Sequence, residues 1–377
     1  MDYYVPMELV TMVCQYLAIN SAASRAALTA LHSMSLASKT YNQIATPYLY
    51  RHIDTMMCDV QRLLQRTTSE NSAPLHLIES LDCSRWQPRR VPSNSSLFFP
   101  GDLRGFPGWE DIESTRISGE LMVALLKNLV NLKELTLDPA TIQSALLHIY
   151  ALAPETLPDL RRLTIRCRQG VFLCDFTNLL SNRNRAIEDL TVRVCGEVYC
   201  TTPLAYRSFL IKNIDICCDS MTTRYLTQFL GNCPNLISCR ITFEGQVIEY
   251  PWEVNILARP AITALRHSRK TLQTLQLLDK RRMTQHAYQH PGSWQGTMQG
   301  LYEFIALEDL YTNWYSLNFC DDRIFPESMR SIKIYCCNGF QAPDLEVLLE
   351  GGCQAWPKWL ALSVEQGEES EGEIVAL

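Results

Sequence analysis

The stretches "LKELTL" (132–137) and "LRRLTI" (160–165) share one pattern: apolar, two variable positions, apolar, one variable, apolar. Their last three residues alternate apolar, variable, apolar, which is the period of a strand with one buried face. The pattern recurs in both directions along the chain. It stands as "IESLDC" at Ile78, "IEDLTV" at Ile187, "IKNIDI" at Ile211 and "LISCRI" at Leu236. It continues as "LQTLQL" at Leu272, "LEDLYT" at Leu307, "MRSIKI" at Met329 and "WLALSV" at Trp359, with a weaker copy, "IESTRI", at Ile112. From Leu132 to Leu236 the steps are 28, 27, 24 and 25 residues; later steps are 36, 35, 22 and 30. Helical patterns lie between the hexamers at 117–129, 141–153 and 222–233. In the first of these Leu121, Ala124, Leu125 and Leu129 share a side.

A strand and a helix every ~25 residues is the unit of a leucine-rich repeat, and the chain resembles that family from about residue 75 to 364. The family's Asn/Cys ladder position is mostly missing. The resemblance implies a solenoid whose parallel strands line a concave sheet. A general α/β domain with parallel strands is the competing reading, since βαβ units alternate in the same way. Two stretches interrupt the series. Residues 84–111 are rich in Pro, Gly and Ser, and 279–300 hold Pro291, Gly292 and Gly296; both predict long surface insertions. The acidic stretch "EQGEESEGEIVAL" (365–377) has little to bury and is expected to be disordered.

The first fifty residues are different. Pro6 and Glu8 open a helical pattern, "VPMELVTMVCQYL" (5–17), with Leu9, Val13, Tyr16 and Leu17 in one apolar stripe. A second pattern, 24–37, carries Leu28, Leu31 and Leu36, and a third, short one carries Tyr41, Ile44 and Ala45. In "SLASKTYNQIATPYLYRHI" (35–53), Pro47 is expected to end the third helix and push the chain into an extended state. Three short helices make a very small core, and such a unit usually completes its burial on a partner.

This stretch resembles an F-box, the helical motif that docks on the small adaptor of cullin-RING (SCF-type) ubiquitin ligases. The matching pieces are Val5-Pro6, Glu8-Leu9, Val13 and Leu17, then Leu36, Ser38-Lys39 and Tyr41. "TPYLYRHI" (46–53) is similar to the exit that links fungal F-boxes to their repeats. The family's first Leu is Val5 here, and its central Asp-Leu is replaced by "AINSAASRAAL" (18–28). The resemblance implies that Val5, Pro6, Leu9 and Val13 contact the adaptor, with Leu17, Leu36 and Tyr41 closing the interface or the core behind it. The expected fold is therefore α/β. A three-helix F-box (1–53) precedes a leucine-rich-repeat-like solenoid with a parallel concave sheet (54–364) and the acidic tail (365–377).

Composition narrows the class of function. The 377 residues carry a net charge of −6 and no global basic signature, so nucleic acid is not an expected partner. No apolar run reaches ~18 residues, and the N-terminus does not look like a secretory signal, so no membrane partner is expected. The 15 cysteines lack Cys-x-x-Cys spacing and sit in apolar runs. They read as reduced core thiols of a cytoplasmic or nuclear protein. In the doublets Cys217-Cys218 and Cys336-Cys337 at most one residue can face a given core.

No catalytic motif stands out, and no cofactor is expected. His286 and His290 lie four apart, but in a polar insertion without further ligands; Asp321-Asp322 reads as a charged turn. In the hexamers, positions three and five face outward, and they are polar and mixed. Arg162, Arg166 and Arg168, with Arg193 from the next hexamer, suggest a guanidinium cluster for an acidic or phosphorylated target segment. Internal pairing with Glu188, Asp189 and Glu197 is the competing reading. The expected function is that of a non-catalytic, substrate-recognition subunit of a ubiquitin ligase. It would bind the adaptor, and through it a cullin, at one end and a target protein along the repeats. The alternative is an interaction scaffold without a ubiquitin role, its helices capping the solenoid. An enzyme with an unrecognised site is a third, weaker reading.

Overall fold

The structure is a computed structural model that describes residues 5–21, 25–54, 75–84, 125–138, 156–167, 171–172, 180, 187–199, 209–221, 223–244, 258–280, 298, 300–313, 325–336 and 361–366. The chain forms two compact units, Met1–Arg166 with Asn182–Ala186, and Cys167–Ser181 with Ile187–Leu377. Both are mixed α/β.

The first unit opens with three helices, α1 (Met7–Ser21), α2 (Arg25–Ala37) and α3 (Lys39–Arg51). The Pro6 carbonyl takes the N–H groups of Leu9 and Val10, so Pro6 stands just before the helix it starts. Ser38 caps α3, its hydroxyl accepting the Tyr41 N–H at 3.1 Å. The helices close on a core of Val10, Cys14, Ala18, Leu31 and Ala45, with Leu17, Met34, Tyr41, Ile44, Tyr48 and Leu49 packed around it. Cys14 and Ala18 on α1 and Ala45 on α3 are small residues at the centre of this core.

Pro47 does not end α3, contrary to the sequence expectation. The helix runs through it to Arg51, and extended structure begins only at His52. Pro47 is exposed, and so is Gln43, whose carbonyl loses its helical N–H, so this stretch of the helix lies on the solvent side. Tyr48 and Leu49 reach the core only if the helix continues. Their partial burial, each a fraction of the about 1.5–3 kcal/mol that full burial contributes, helps offset the lost hydrogen bond.

The chain then enters parallel strands. In the first unit their order is β1 (His52–Asp54), β2 (Ser80–Cys83), β3 (Glu134–Leu137), β4 (Arg162–Cys167). In the second unit the order is β6 (Asp189–Val194), β8 (Asn213–Cys218), β10 (Ser238–Phe243), β11 (Thr274–Asp279), β12 (Asp309–Asn313), β13 (Ser331–Cys336), β14 (Ala361–Gln366). Short strands β5 (Val171–Phe172), β7 (Glu197–Tyr199) and β9 (Ser220–Met221) make a separate parallel ribbon there. Helices α4 (Thr223–Gly231) and α5 (Ala258–Leu265) lie in the connections.

All ten hexamers fall on strands, and each strand begins on the hexamer's third residue. Positions one, four and six are buried wherever they are described: Leu132, Leu135 and Leu137 are typical, at 1% exposure or less. The strands pair third residue to third residue, as Glu134 to Arg162, Asn213 to Ser238 and Thr274 to Asp309. A backbone fork repeats with them. The carbonyl of a second-position residue takes two N–H groups from the following hexamer: Glu79 those of Lys133 and Glu134 (2.7 and 3.0 Å), Lys212 those of Ile237 and Ser238 (2.7 and 3.1 Å). Just before the hexamers, Thr271 and Ser328 donate their hydroxyls to the preceding first-position carbonyls, Leu236 and Leu307 (2.8 and 2.7 Å).

The helical pattern at 222–233 is α4, and that at 117–129 is helical at 125–128, with Leu125 and Leu129 buried. The pattern at 141–153, the weak hexamer at Ile112, nearly all of both insertions and the tail beyond Gln366 lie outside the described residues. None of the eight cysteines whose side chains are described is in a disulfide, and six of them are buried. Burial pushes the Cys239 thiol up to about 12. Cys218 is buried while its neighbour Cys217 is half-buried on the other face, the alternation a strand imposes.

Candidate protein-binding surfaces

α1 is apolar on more than one side, and the core uses only part of it. Val10, Cys14 and Ala18 face inward. Leu9 (51% exposed), Met12 (62%), Val13 (48%), Tyr16 (68%) and Ile19 (77%) do not. Their spacing of i, i+3, i+4, i+7 and i+10 puts them on one face of the helix. Val5 and Pro6 are exposed at its start, and Leu36 is exposed at the end of α2. A contiguous apolar face of this kind is of the sort that marks interaction sites, whereas scattered single exposed apolar residues do not.

Of the residues that the sequence singled out for adaptor contact, Val5, Pro6, Leu9, Val13 and Leu36 are exposed. Leu17 and Tyr41 are half-buried against the helical core. Met12, Tyr16 and Ile19 widen the exposed apolar face beyond the residues that the sequence singles out. The signal was present: Leu9, Val13 and Tyr16 were in one stripe with Leu17, but nothing local told which edge of that stripe turns inward.

Where α3 meets the strands, Glu79 on the approach to β2 gathers two cations. Arg51 lies 3.0 Å away and Lys133 3.2 Å. Burial works against the Glu79 carboxylate, but the Lys133 hydrogen bond and the Arg51 charge outweigh it and hold the carboxyl below its usual range. Burial, aided by the Arg51 charge, pushes the adjacent His52 imidazole below its own.

Two arginines of the proposed guanidinium cluster are paired with carboxylates. Arg162 in the first unit donates to Glu134 at 2.6 Å, and Arg193 in the second pairs with Asp215. Arg166 is exposed and makes no ion pair with a described residue, and Arg168 lies outside the described residues. Glu188 binds Lys212 at 3.1 Å, and Asp189 accepts from Asn213 at 2.6 Å; the Glu197 side chain lies outside the described residues. Strand register supplies the missing signal, since Glu134 and Arg162 both stand at position three.

In the second unit the outward face is not uniformly open. Positions three and five of β10–β13 are exposed or half-buried. Position seven is closed: Thr242, Leu278, Asn313 and Tyr335 are all at 9% exposure or less. Only the first half of these strands therefore offers an outward surface.

His286, His290 and Asp321-Asp322 lie outside the described residues. Among the described residues no group of His, Cys, Asp and Glu side chains is placed to hold a metal, and no helix is long and apolar enough to cross a membrane. The chain matches no model of a known protein family, and no curated protein matches it.

Proposed function

We propose that the protein is the substrate-recognition subunit of a cullin-RING ubiquitin ligase, an F-box module joined to a leucine-rich-repeat-like solenoid. The α1–α3 module docks on the small adaptor, and the outward strand positions receive a target protein. The subunit works by proximity, holding the target near the transferred ubiquitin, and supplies no catalytic group. The observation that carries this reading is the second apolar face of α1: five side chains from Leu9 to Ile19, each about half-exposed or more, on a helix whose other side already fills a core. A protein surface suits that face better than a lipid surface does. α1 carries no Lys or Arg, and helices that lie on membranes are rich in both. The buried, unlinked cysteines support a cytoplasmic or nuclear setting.

Co-expression with the adaptor tests the reading. The wild-type chain co-purifies with it, and the Leu9→Asp, Val13→Asp double variant does not, while its circular dichroism and unfolding midpoint stay unchanged. Equal recovery of both would exclude the α1 face as the contact. No recovery of either would remove the ligase role.

A second reading has its own observation. The Arg51 carbonyl, at the end of α3, takes the Glu79 N–H at 2.9 Å, the position that a preceding hexamer fills elsewhere, and β1 pairs with β2 in parallel. The helices thus close the open start of the strand series as a cap does. On this reading the protein is an interaction scaffold without a ubiquitin role, and it follows if the adaptor is not bound.

A further inference from the structure

The fifth-position residues of β8, β10, β11, β12 and β13 stand side by side in register: Asp215, Arg240, Gln276, Tyr311, Lys333. All but one are engaged. Asp215 is paired with Arg193, and Gln276 donates to Thr242 at 3.0 Å. The Lys333 ammonium lies 4.7 Å from the centre of the Tyr311 ring. Arg240 is exposed and has no hydrogen bond, ion pair or ring contact with any described residue, although Asp215 stands directly opposite on the next strand. Asp215 has turned to the guanidinium on its other side.

We infer that this row receives an extended segment of a target protein through one carboxylate, held by Arg240. The inference rests on the receptor reading and adds the chemistry of what is received. A guanidinium offers a planar fork of N–H donors that matches a carboxylate at two points. Asp215 is already paired with Arg193, so the Arg240 guanidinium keeps one positive charge of its own without a carboxylate. One carboxylate balances it, whereas a phosphate dianion would leave a negative charge beside Asp215. The closed seventh positions of β10–β13 bound the row on one side. Five strands at ~4.8 Å spacing give a row of about 19 Å, the length of about six extended residues.

A display library of random twelve-residue peptides, selected on the full-length protein and on its Arg240→Glu variant, tests this. The expected result is a shared Asp or Glu at one aligned position in wild-type selections. Replacing that acid by Asn or Gln weakens binding about tenfold or more, since the contact is a charged hydrogen bond. Replacing it by phosphoserine also weakens binding. Arg240→Glu selects Lys or Arg at the same place, and Arg240→Gln binds the wild-type peptides weakly, both with unchanged unfolding midpoints. Peptides without a common acid, equal binding to both variants, tighter binding of phosphoserine, or no selected peptide would each overturn the inference. Adaptor co-purification is measured on the same preparations. Adaptor binding without acid selection overturns this inference alone; acid selection without adaptor binding overturns the receptor reading and leaves the carboxylate site standing.

Discussion

The Asn313 carboxamide closes the end of β11: its Oδ1 accepts the Asp279 N–H at 2.6 Å, and its Nδ2 donates to the Asp279 carbonyl at 2.8 Å. Backbone pairing between β11 and β12 ends at Leu277 and Thr312, while Asn313 continues to pair with Tyr335 on β13. The side chain thus takes over where the ladder stops. Asn313 and Asp279 are both buried, so water cannot replace these bonds. Asn313→Ala leaves two buried backbone groups without partners and should cost about 2–4 kcal/mol, read as a lower urea midpoint. Asn313→Asp keeps an acceptor but loses the donor and buries a charge, and should cost at least as much. A midpoint unchanged in both would show that the amide has no structural role.

The residue before it carries the opposite defect. Thr312 occupies position six of its hexamer, where the other described copies are apolar or Cys, and its fully buried hydroxyl has no hydrogen-bond partner. Thr312→Val keeps the shape and removes the unsatisfied group, so the unfolding midpoint should rise, by about 1 kcal/mol of stability. A fall would mean that the hydroxyl is satisfied in solution.

The strands were legible because they are specified locally. Position one, four and six side chains must be buried in every copy, and a period of two has one solution once a turn precedes it. What was not legible depends on residues far apart in sequence. Nothing near Leu278 or Tyr335 says that position seven is closed as well as position six. The Arg193 partner, Asp215, is one strand and two hexamer positions away. α1 is apolar almost all round, so pattern alone could mark it as buried but not say which side stays open.

Pro47 is the case where a local rule failed against packing. Because α3 continues through it, Pro47→Ala restores an N–H to a helix that already exists, with no change in the buried set. Stability should rise by about 1–3 kcal/mol in thermal or urea unfolding. A loss would show that the ring itself is needed at the approach to β1.

Acid should act first at the joint between α3 and the strands. The folded pKa of Glu79 lies below its unfolded value, so the native state holds its proton less tightly. Its contribution is complete above about pH 4.3, the unfolded range for glutamate, and is lost as pH falls through the folded value. His52 is likewise held low, so the unfolded chain gains a proton first and stability begins to fall below about pH 6.5. Glu79→Gln should flatten the lower window and leave a loss in the upper one. An unchanged profile of midpoint against pH would show that the Arg51 and Lys133 pairs carry no weight.

The two apolar sides of α1 and its neighbours should separate cleanly by mutation. Leu31 is fully buried in the helical core, and Leu31→Ala should cost about 2–5 kcal/mol because a cavity adds to the lost transfer energy. Leu9 is half-exposed, and Leu9→Ala should shift the midpoint by no more than about 0.5 kcal/mol. Adaptor recovery should rank them in the reverse sense at a temperature where both are folded: near wild type for Leu31→Ala, reduced for Leu9→Ala. Ile19→Ala, at the far end of the exposed face, extends the test along the helix. If Leu9→Ala and Ile19→Ala destabilise the isolated protein as Leu31→Ala does, that face is packed within the molecule and no partner is required to cover it.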